Sequence, residues 1–362
     1  VSKRPADPTG EHRPPISAVI PTHAGSIEWL PDCLAAVAAQ RGVTPQVIVV
    51  VDGPAPAVPP LVRRLLPGAR VVERRQNAGF ATAASAGLRV ARGALVALLN
   101  DDAEPEPDWL GALLDAAARN PDAGSFASLV LQRNRPGYVD SAGHGLTRWG
   151  EAFEIAHDAP ETAAVHTERP VFGAPACASA YRWELLRDCG AFDTAFGAYL
   201  EDVDLSLRAQ LLGFPCLFVP TARVHHRGSA SYGTRSVQLS ARNRVRLLLK
   251  SMPRPLLREA APAVAASIAA DLAARLNSKH AAAAAAGLIE GLTEARAAVA
   301  GRASTLGPRR VDDDRIRDLL IACESDLQQL PERGAPRARR LALARRLATL
   351  TDSRRQQGEP WS

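Results

Sequence analysis

The sequence predicts an α/β fold with a mostly parallel sheet and a C-terminal helical appendage. Three observations predict it. The runs Val47-Ile48-Val49-Val50-Val51 and Ala94-Leu95-Val96-Ala97-Leu98-Leu99 are continuously apolar, as strands covered on both faces are. Strand-like and helix-like segments alternate with short connections from 16 to 119. After Ser236 the pattern becomes almost purely helical and rich in Ala, Arg and Leu.

In order, residues 1–15 are polar and Pro-rich and read as a disordered arm. Strands are expected at 16–22, 46–51, 69–73 and 94–99. Helices are expected at 27–40, 61–66, 79–92 and 109–119. The first begins the apolar spacing Leu30, Leu34, Val37; the third is built of small residues. Asp52-Gly53-Pro54 is a turn signal that stops the second strand. Residues 123–235 are less regular, with one clear helix at 203–212. The expected division is a catalytic domain over 16–235, split at 122/123 into a nucleotide-binding and an acceptor half, then a helical region over 236–362.

Composition narrows the setting. The 362 residues are 46% hydrophobic and 23% charged, ordinary for a globular chain that buries a core. The net charge of +6 is concentrated in segments such as Arg242-Asn243-Arg244-Val245-Arg246 and Arg337-Ala338-Arg339-Arg340. Such segments read as a solvated helix face, or as a surface for an anionic membrane or lipid phosphate. They lack the interleaved aromatics that stack bases, so nucleic acid is not an expected partner. The five cysteines are scattered and have no metal-ligand spacing, which fits a reduced compartment. No signal-peptide core and no run of roughly 20 apolar residues is present. The expected location is cytoplasmic, with peripheral contact at the inner face of the membrane and a homodimer left open.

In a parallel sheet, ligands bind beyond the carboxyl ends of the strands. That rule selects Pro21 and Thr22, Asp52, and Asn100-Asp101-Asp102. The last cluster offers oxygen ligands for a hard divalent cation; it also suits a polar loop before a helix. Glu201, Asp202 and Asp204 place three carboxylates in the first turn of a helix. The helix dipole favours them there, but a cap does not require three. One of them can accept a proton from an attacking hydroxyl. His225-His226 are ligand candidates, although paired histidines are more often inert. In Asn77-Ala78-Gly79 a Gly loop enters a helix, where backbone amides can face a phosphate.

The order of these motifs is more specific than any one of them. Val19-Ile20-Pro21-Thr22, Val49-Val50-Val51-Asp52-Gly53, Asn77-Ala78-Gly79-Phe80-Ala81, Leu98-Leu99-Asn100-Asp101-Asp102, Gly190-Ala191-Phe192-Asp193 and Tyr199-Leu200-Glu201-Asp202-Val203-Asp204 occur in succession, followed by the His-His segment. Over roughly 16–250 the chain resembles the family 2 glycosyltransferases, and within them the bacterial rhamnosyltransferase-like branch. The resemblance implies the GT-A fold, a Rossmann-like nucleotide-diphospho-sugar transferase architecture. It implies an inverting, Mn²⁺- or Mg²⁺-dependent transfer from a dTDP- or UDP-sugar, with dTDP-rhamnose one option, to a hydroxyl of a glycan, glycolipid or small molecule. By position it implies that Thr22 and Asp52 hold base and ribose, with Pro21 beside them. Asn77 and Gly79 lie near the nucleotide, and Asn100 and Asp101 in the metal motif. Asp102 binds the cation and His226 helps, with His225 as the neighbouring candidate. Asp202 is the catalytic base, with Glu201 and Asp204 as acceptor-side or supporting groups. The sequence departs from the family in having Asn100 as the first residue of the Asp-x-Asp motif, in Asp52-Gly53-Pro54, and in Ser85 where many relatives carry Asn. Those departures motivate an alternative, a non-catalytic nucleotide-sugar-binding scaffold. A nucleotidyltransferase would need a Gly-rich, basic phosphate loop after the first strand, and Pro21-Thr22-His23-Ala24-Gly25-Ser26 is a poor one.

Overall fold

The computed structural model describes residues 14–163, 166–228, 233–306, 309–328, 330 and 342–349. The expected arm over 1–13, Arg337–Arg340 and the last residues lie outside them. The elements run β1 (Ile16–Thr22), α1 (Leu30–Ala38), β2 (Gln46–Asp52), α2 (Val58–Leu65), β3 (Arg70–Arg74), α3 (Phe80–Val90), β4 (Leu95–Leu99), β5 (Ala103–Pro105) and α4 (Trp109–Arg119). Next come β6 (Ser125–Gln132), β7 (Val139–Ser141), β8 (His144–Leu146), β9 (Ala152–Glu154), β10 (Arg169–Val171), β11 (Ala178–Arg182), α5 (Trp183–Cys189), α6 (Glu201–Leu211) and β12 (Cys216–His226). The helices α7 (Thr234–Lys250), α8 (Arg254–Arg275), α9 (Ala281–Thr293), α10 (Ala295–Ala300), α11 (Arg302–Leu306) and α12 (Asp313–Gln328) follow.

The main path of the sheet is β10-β12-β6-β11-β4-β1-β2-β3. β1 pairs in parallel with both β2 and β4, and β3 adds in parallel to β2. β11 enters antiparallel between β4 and β6, and β12 runs parallel to β6. The strand period of two explains the apolar runs. Val47, Val49 and Val51 of β2 pack into a core with α1, α2 and α4, while Ile48 and Val50 face α3 on the other side. Small residues in α3 allow close approach: a Cβ on Gly87 would lie 2.3 Å from Val19 Cγ1.

Two expectations are corrected. Residues 123–235 are not mainly irregular, because β6, β11 and β12 complete the sheet. β6 mixes Ser and Ala into its apolar run, and β12 shifts register between Val219 and Arg223, around Pro220, so neither shows a clean period. The helix expected from 203 begins at Glu201. The C-terminal helices pack against the sheet domain. Leu247, Leu248, Met252, Leu256, Ile316 and Leu320 share one core with Trp149, Phe153, Phe172, Phe196 and Phe218. No helix among the described residues is long and apolar enough to cross a membrane.

Candidate active site

Beyond the carboxyl ends of β1, β2 and β4 lies a cavity of about 810 Å³. Of the residues singled out from sequence, Pro21, Thr22, Asp52, Asn77, Asn100, Asp101, Asp102, Glu201, Asp202 and His226 line it. The topology brings them there: the first five sit on strand ends or the loop after β3, and α6 delivers Glu201 and Asp202.

Asp52 holds the loop after β3 in place. Its Oδ1 accepts from Arg74 at 2.8 Å, and its Oδ2 accepts from the amides of Ala78 at 3.1 Å and Gly79 at 3.0 Å. Gly79 does not line the cavity; its backbone has φ 89°, and a Cβ there would lie 2.8 Å from the Gly197 carbonyl. Asn77 Oδ1 also accepts from the Gly79 amide, at 3.1 Å.

The acidic cluster after β4 meets the end of β12. β5 pairs antiparallel with β12, opposing Ala103 to His226, so Asp102 and His226 become neighbours. His226 Nε2 lies 3.2 Å from Asp102 Oδ1, and its Nδ1 lies 2.7 Å from Asp140 Oδ2. Burial alone would lower the imidazole pKa, but the two carboxylates outweigh it and raise it to about 10. Asp140 is itself driven far below the usual carboxylate range; burial opposes this, and His157 and His226 prevail. Asp101 is pushed up to about 6 by burial, against the hydroxyls of Thr22 and Ser26.

These groups fit a divalent cation. Asp102 supplies a hard carboxylate oxygen, and Asp140 orients the imidazole of His226 as a carboxylate does behind a metal-binding histidine. Buried Asn100 Oδ1, Asp101 Oδ2 and Glu201 Oε2 have no hydrogen-bond partner among the described residues, and their side chains line this same cavity. Among the described residues no set of three or more His, Cys, Asp or Glu is placed to hold a cation. Phosphate oxygens and water would therefore complete the shell, as Mg²⁺ sites on nucleotides require.

Asp202 stands at the start of α6. Its Oδ2 accepts from the Ala176 amide at 3.0 Å and its Oδ1 from the Val203 amide at 2.8 Å. The carboxylate is 18% exposed, enough to reach the cavity, with His144 Nδ1 at 3.9 Å. Glu201 and Glu154 are different: burial raises both, Glu201 well above the carboxylate range and Glu154 to about 8.

Besides Gly79, His225 and Asp204 are not brought to the cavity. His225 alternates to the opposite side of β12 from His226, where its ring lies 3.2 Å from Glu106. Asp204 is fully buried; it accepts from Arg208 at 2.9 Å, Lys250 at 3.0 Å and Ser251 at 2.5 Å. Its place is structural, beneath the site. The charged run 242–246 is not a free basic face either. Arg242 bonds the carbonyls of Ala195 and Phe196, Arg244 those of Trp149 and the Ser267 hydroxyl, and Arg246 bonds Asp193.

Asp140, Glu154 and His144 went unnoticed in the sequence, and Asn243 was noted only as part of the charged run 242–246. Asp140 is a single carboxylate in a short, loop-rich stretch. It reaches His226 only because β7 and β12 both pair with β6. No local spacing encodes that.

A parallel β3-β2-β1-β4 unit with acidic strand ends, facing an acidic helix start across one cavity, is the GT-A architecture. Solved structures agree with the fold. That of GalNAc-T7 with UDP, GalNAc and Mn²⁺ matches with a TM-score of 0.54 at 16% identity, over 73% of this chain and 52% of that one. TarS of S. aureus matches with 0.51 at 16% identity, over 86% and 53%. Residues 17–187 match the model of Glycosyl transferase family 2. The N-acetylglucosaminyl-diphospho-decaprenol L-rhamnosyltransferase of Mycobacterium tuberculosis is 29% identical over 154 residues, 38% of this chain and 48% of its own length. The chain thus spans about half the length of that curated relative.

Proposed function

We propose that the chain is a glycosyltransferase that moves a sugar from a dTDP- or UDP-linked donor to a hydroxyl of a glycan or glycolipid, with inversion and with Mn²⁺ or Mg²⁺. The observation that carries this is the shared cavity. Asp202 and the Asp102–His226 pair both open onto it, as do the ends of the strands that hold a nucleotide in this fold.

Asp102 and His226 would hold the cation, which when bound would supply positive charge against the leaving diphosphate. Pro21, Thr22, Asp52 and the Asn77–Gly79 loop hold the nucleoside. Asp202 accepts the proton of the acceptor hydroxyl as the new bond to the anomeric carbon forms. The bond to the diphosphate oxygen breaks on the opposite face, and its electron pair leaves with the diphosphate. Inversion is supported by the surroundings of the other carboxyls: burial raises Glu154, to about 8, and raises Glu201 as well, which disfavours either as the anionic nucleophile of a covalent route. A lipid-linked acceptor is supported by the relative's diphospho-decaprenol and by the apolar wall of Val237, Ala241, Ile268, Ala284 and Leu288.

Calorimetric titration of UDP, dTDP and GDP, with and without Mn²⁺, tests the class. Binding of one, dependent on Mn²⁺, is expected. Asp202→Asn should keep that binding and lose transfer by about 10²-fold or more. No binding by the folded protein sinks the proposal. Binding by the wild type without turnover on any acceptor restores the scaffold reading.

A further inference from the structure

The catalytic reading above concerns side chains on the sheet and α6. The segment that feeds α6 has its own support. Tyr199 and Leu200, neither of them glycine, both adopt left-handed backbone conformations, with φ 69° and 64°. Such residues cost on the order of 1–3 kcal/mol each and persist only where surroundings impose them. Here the surroundings come from the C-terminal region. Asn243 of α7 is fully buried, and its Nδ2 donates toward three carbonyls: Phe196 at 3.0 Å, Ala198 at 2.8 Å and Tyr199 at 2.7 Å. One turn along the helix, Arg246 and then Lys250 hold Asp193 at the other end of the segment, at 3.2 and 3.0 Å. Arg242 donates to the carbonyls of Ala195 and Phe196 at 2.8 Å from the more exposed side. The segment also touches the nucleotide side, where the Gly197 carbonyl accepts from the Ala81 amide at 2.8 Å.

We propose that Asn243 is a positioning residue: from α7 it clamps residues 196–199 in the strained conformation that aims Asp202 into the cavity. The helical region then belongs to the catalytic unit, and the Arg-Asn-Arg run serves the loop before the base. This rests on the assignment of Asp202 as base.

The test measures kcat, KM and Mn²⁺-dependent nucleotide affinity for Asn243→Ala, Arg242→Ala, Asp202→Asn and the double variant Asn243→Ala/Leu200→Gly in the full chain. Asn243→Ala should lower kcat by roughly 10- to 100-fold, since small misplacements of a catalytic group cost that much, with nucleotide affinity changed by less than about threefold. Glycine at 200 removes the left-handed penalty, so the double variant should recover part of the lost kcat. A merely structural asparagine gives no such recovery. Asn243→Ala that melts cooperatively and turns over at the wild-type rate overturns the proposal, as does a loss carried wholly by nucleotide affinity. If Asn243→Ala does not fold, Arg242→Ala decides: a several-fold lower kcat supports the clamp and wild-type kcat refutes it. Asp202→Asn separates the two claims. Full activity there removes the base itself, whereas an inactive Asp202→Asn beside a fully active Asn243→Ala removes only the clamp.

Discussion

At the scale of single residues, the site is a set of carboxylates whose surroundings give them different roles. Asp204, 0% exposed, is ionised because Arg208 and Lys250 face it, and it anchors α7 to α6. Asp202, two residues earlier, accepts from the amides of Ala176 and Val203, has His144 Nδ1 at 3.9 Å, and stays open to the cavity. Asp140 lines the cavity and fixes the ring of His226. Removing its charge should therefore act on the cation. Asp140→Asn keeps the shape and the oxygen but weakens the hold on Nδ1–H. Partners behind a metal-binding histidine are typically worth about 10- to 100-fold in metal affinity. A Mn²⁺ titration at saturating nucleotide should show a loss of that size in Asp140→Asn. An unchanged Mn²⁺ midpoint would mean that His226 does not serve the cation through Asp140.

At the scale of elements, some parts were legible and some were not. β2 and β4 announced themselves because both faces are buried, so Val47–Val51 and Leu95–Leu99 are continuously apolar. Asp52 and Asp102 followed, because ligand sites in such sheets lie just past those strands. β12 was hidden by its register shift, and with it the reason why His226 faces the site and His225 does not. The Arg-rich face of α7 read as solvated because periodicity shows which residues share a face, not what covers it. Glycine placement makes the same point. In α9, Gly287 and Gly291 look like weak points in a helix, where alanine would be better by about 1 kcal/mol. The structure reverses the sign for Gly287: a Cβ there would lie 2.1 Å from the Gln238 carbonyl of α7, and backbone cannot give way cheaply. Overpacking costs about 1–3 kcal/mol, which exceeds the propensity gain. Gly287→Ala should lower the melting temperature. Gly111→Ala in α4, where nothing lies within 4 Å of the added carbon, should raise stability by about 0.4–1 kcal/mol. Thermal melts of the two variants check the pair, and two shifts of the same sign would defeat the packing account of α9.

At the scale of the molecule, the question is whether the helical region can be removed. Its contacts are not those of an attached accessory. Arg148 and Glu324 form a buried two-point pair, each contact 2.9 Å long, across 176 positions of sequence. Arg302 reaches back to the carbonyls of Leu249 and Met252 at the end of α7. The aromatic residues Trp149, Phe153, Phe172 and Phe196 share one core with residues of α7, α8 and α12. Each large apolar side chain stripped of its cover forfeits about 1.5–3 kcal/mol. A handful of them exceeds the roughly 5–15 kcal/mol by which a domain is stable at all. A chain ended at 235 should therefore fail to melt cooperatively, bind an apolar dye and lose Mn²⁺-dependent nucleotide binding. The full chain should unfold in one transition followed alike by calorimetry and circular dichroism. A truncated chain with a sharp melt and intact nucleotide affinity would make 16–235 an independent unit. It would also place the source of the backbone strain at Tyr199 and Leu200 within that unit, since α7 would then be gone.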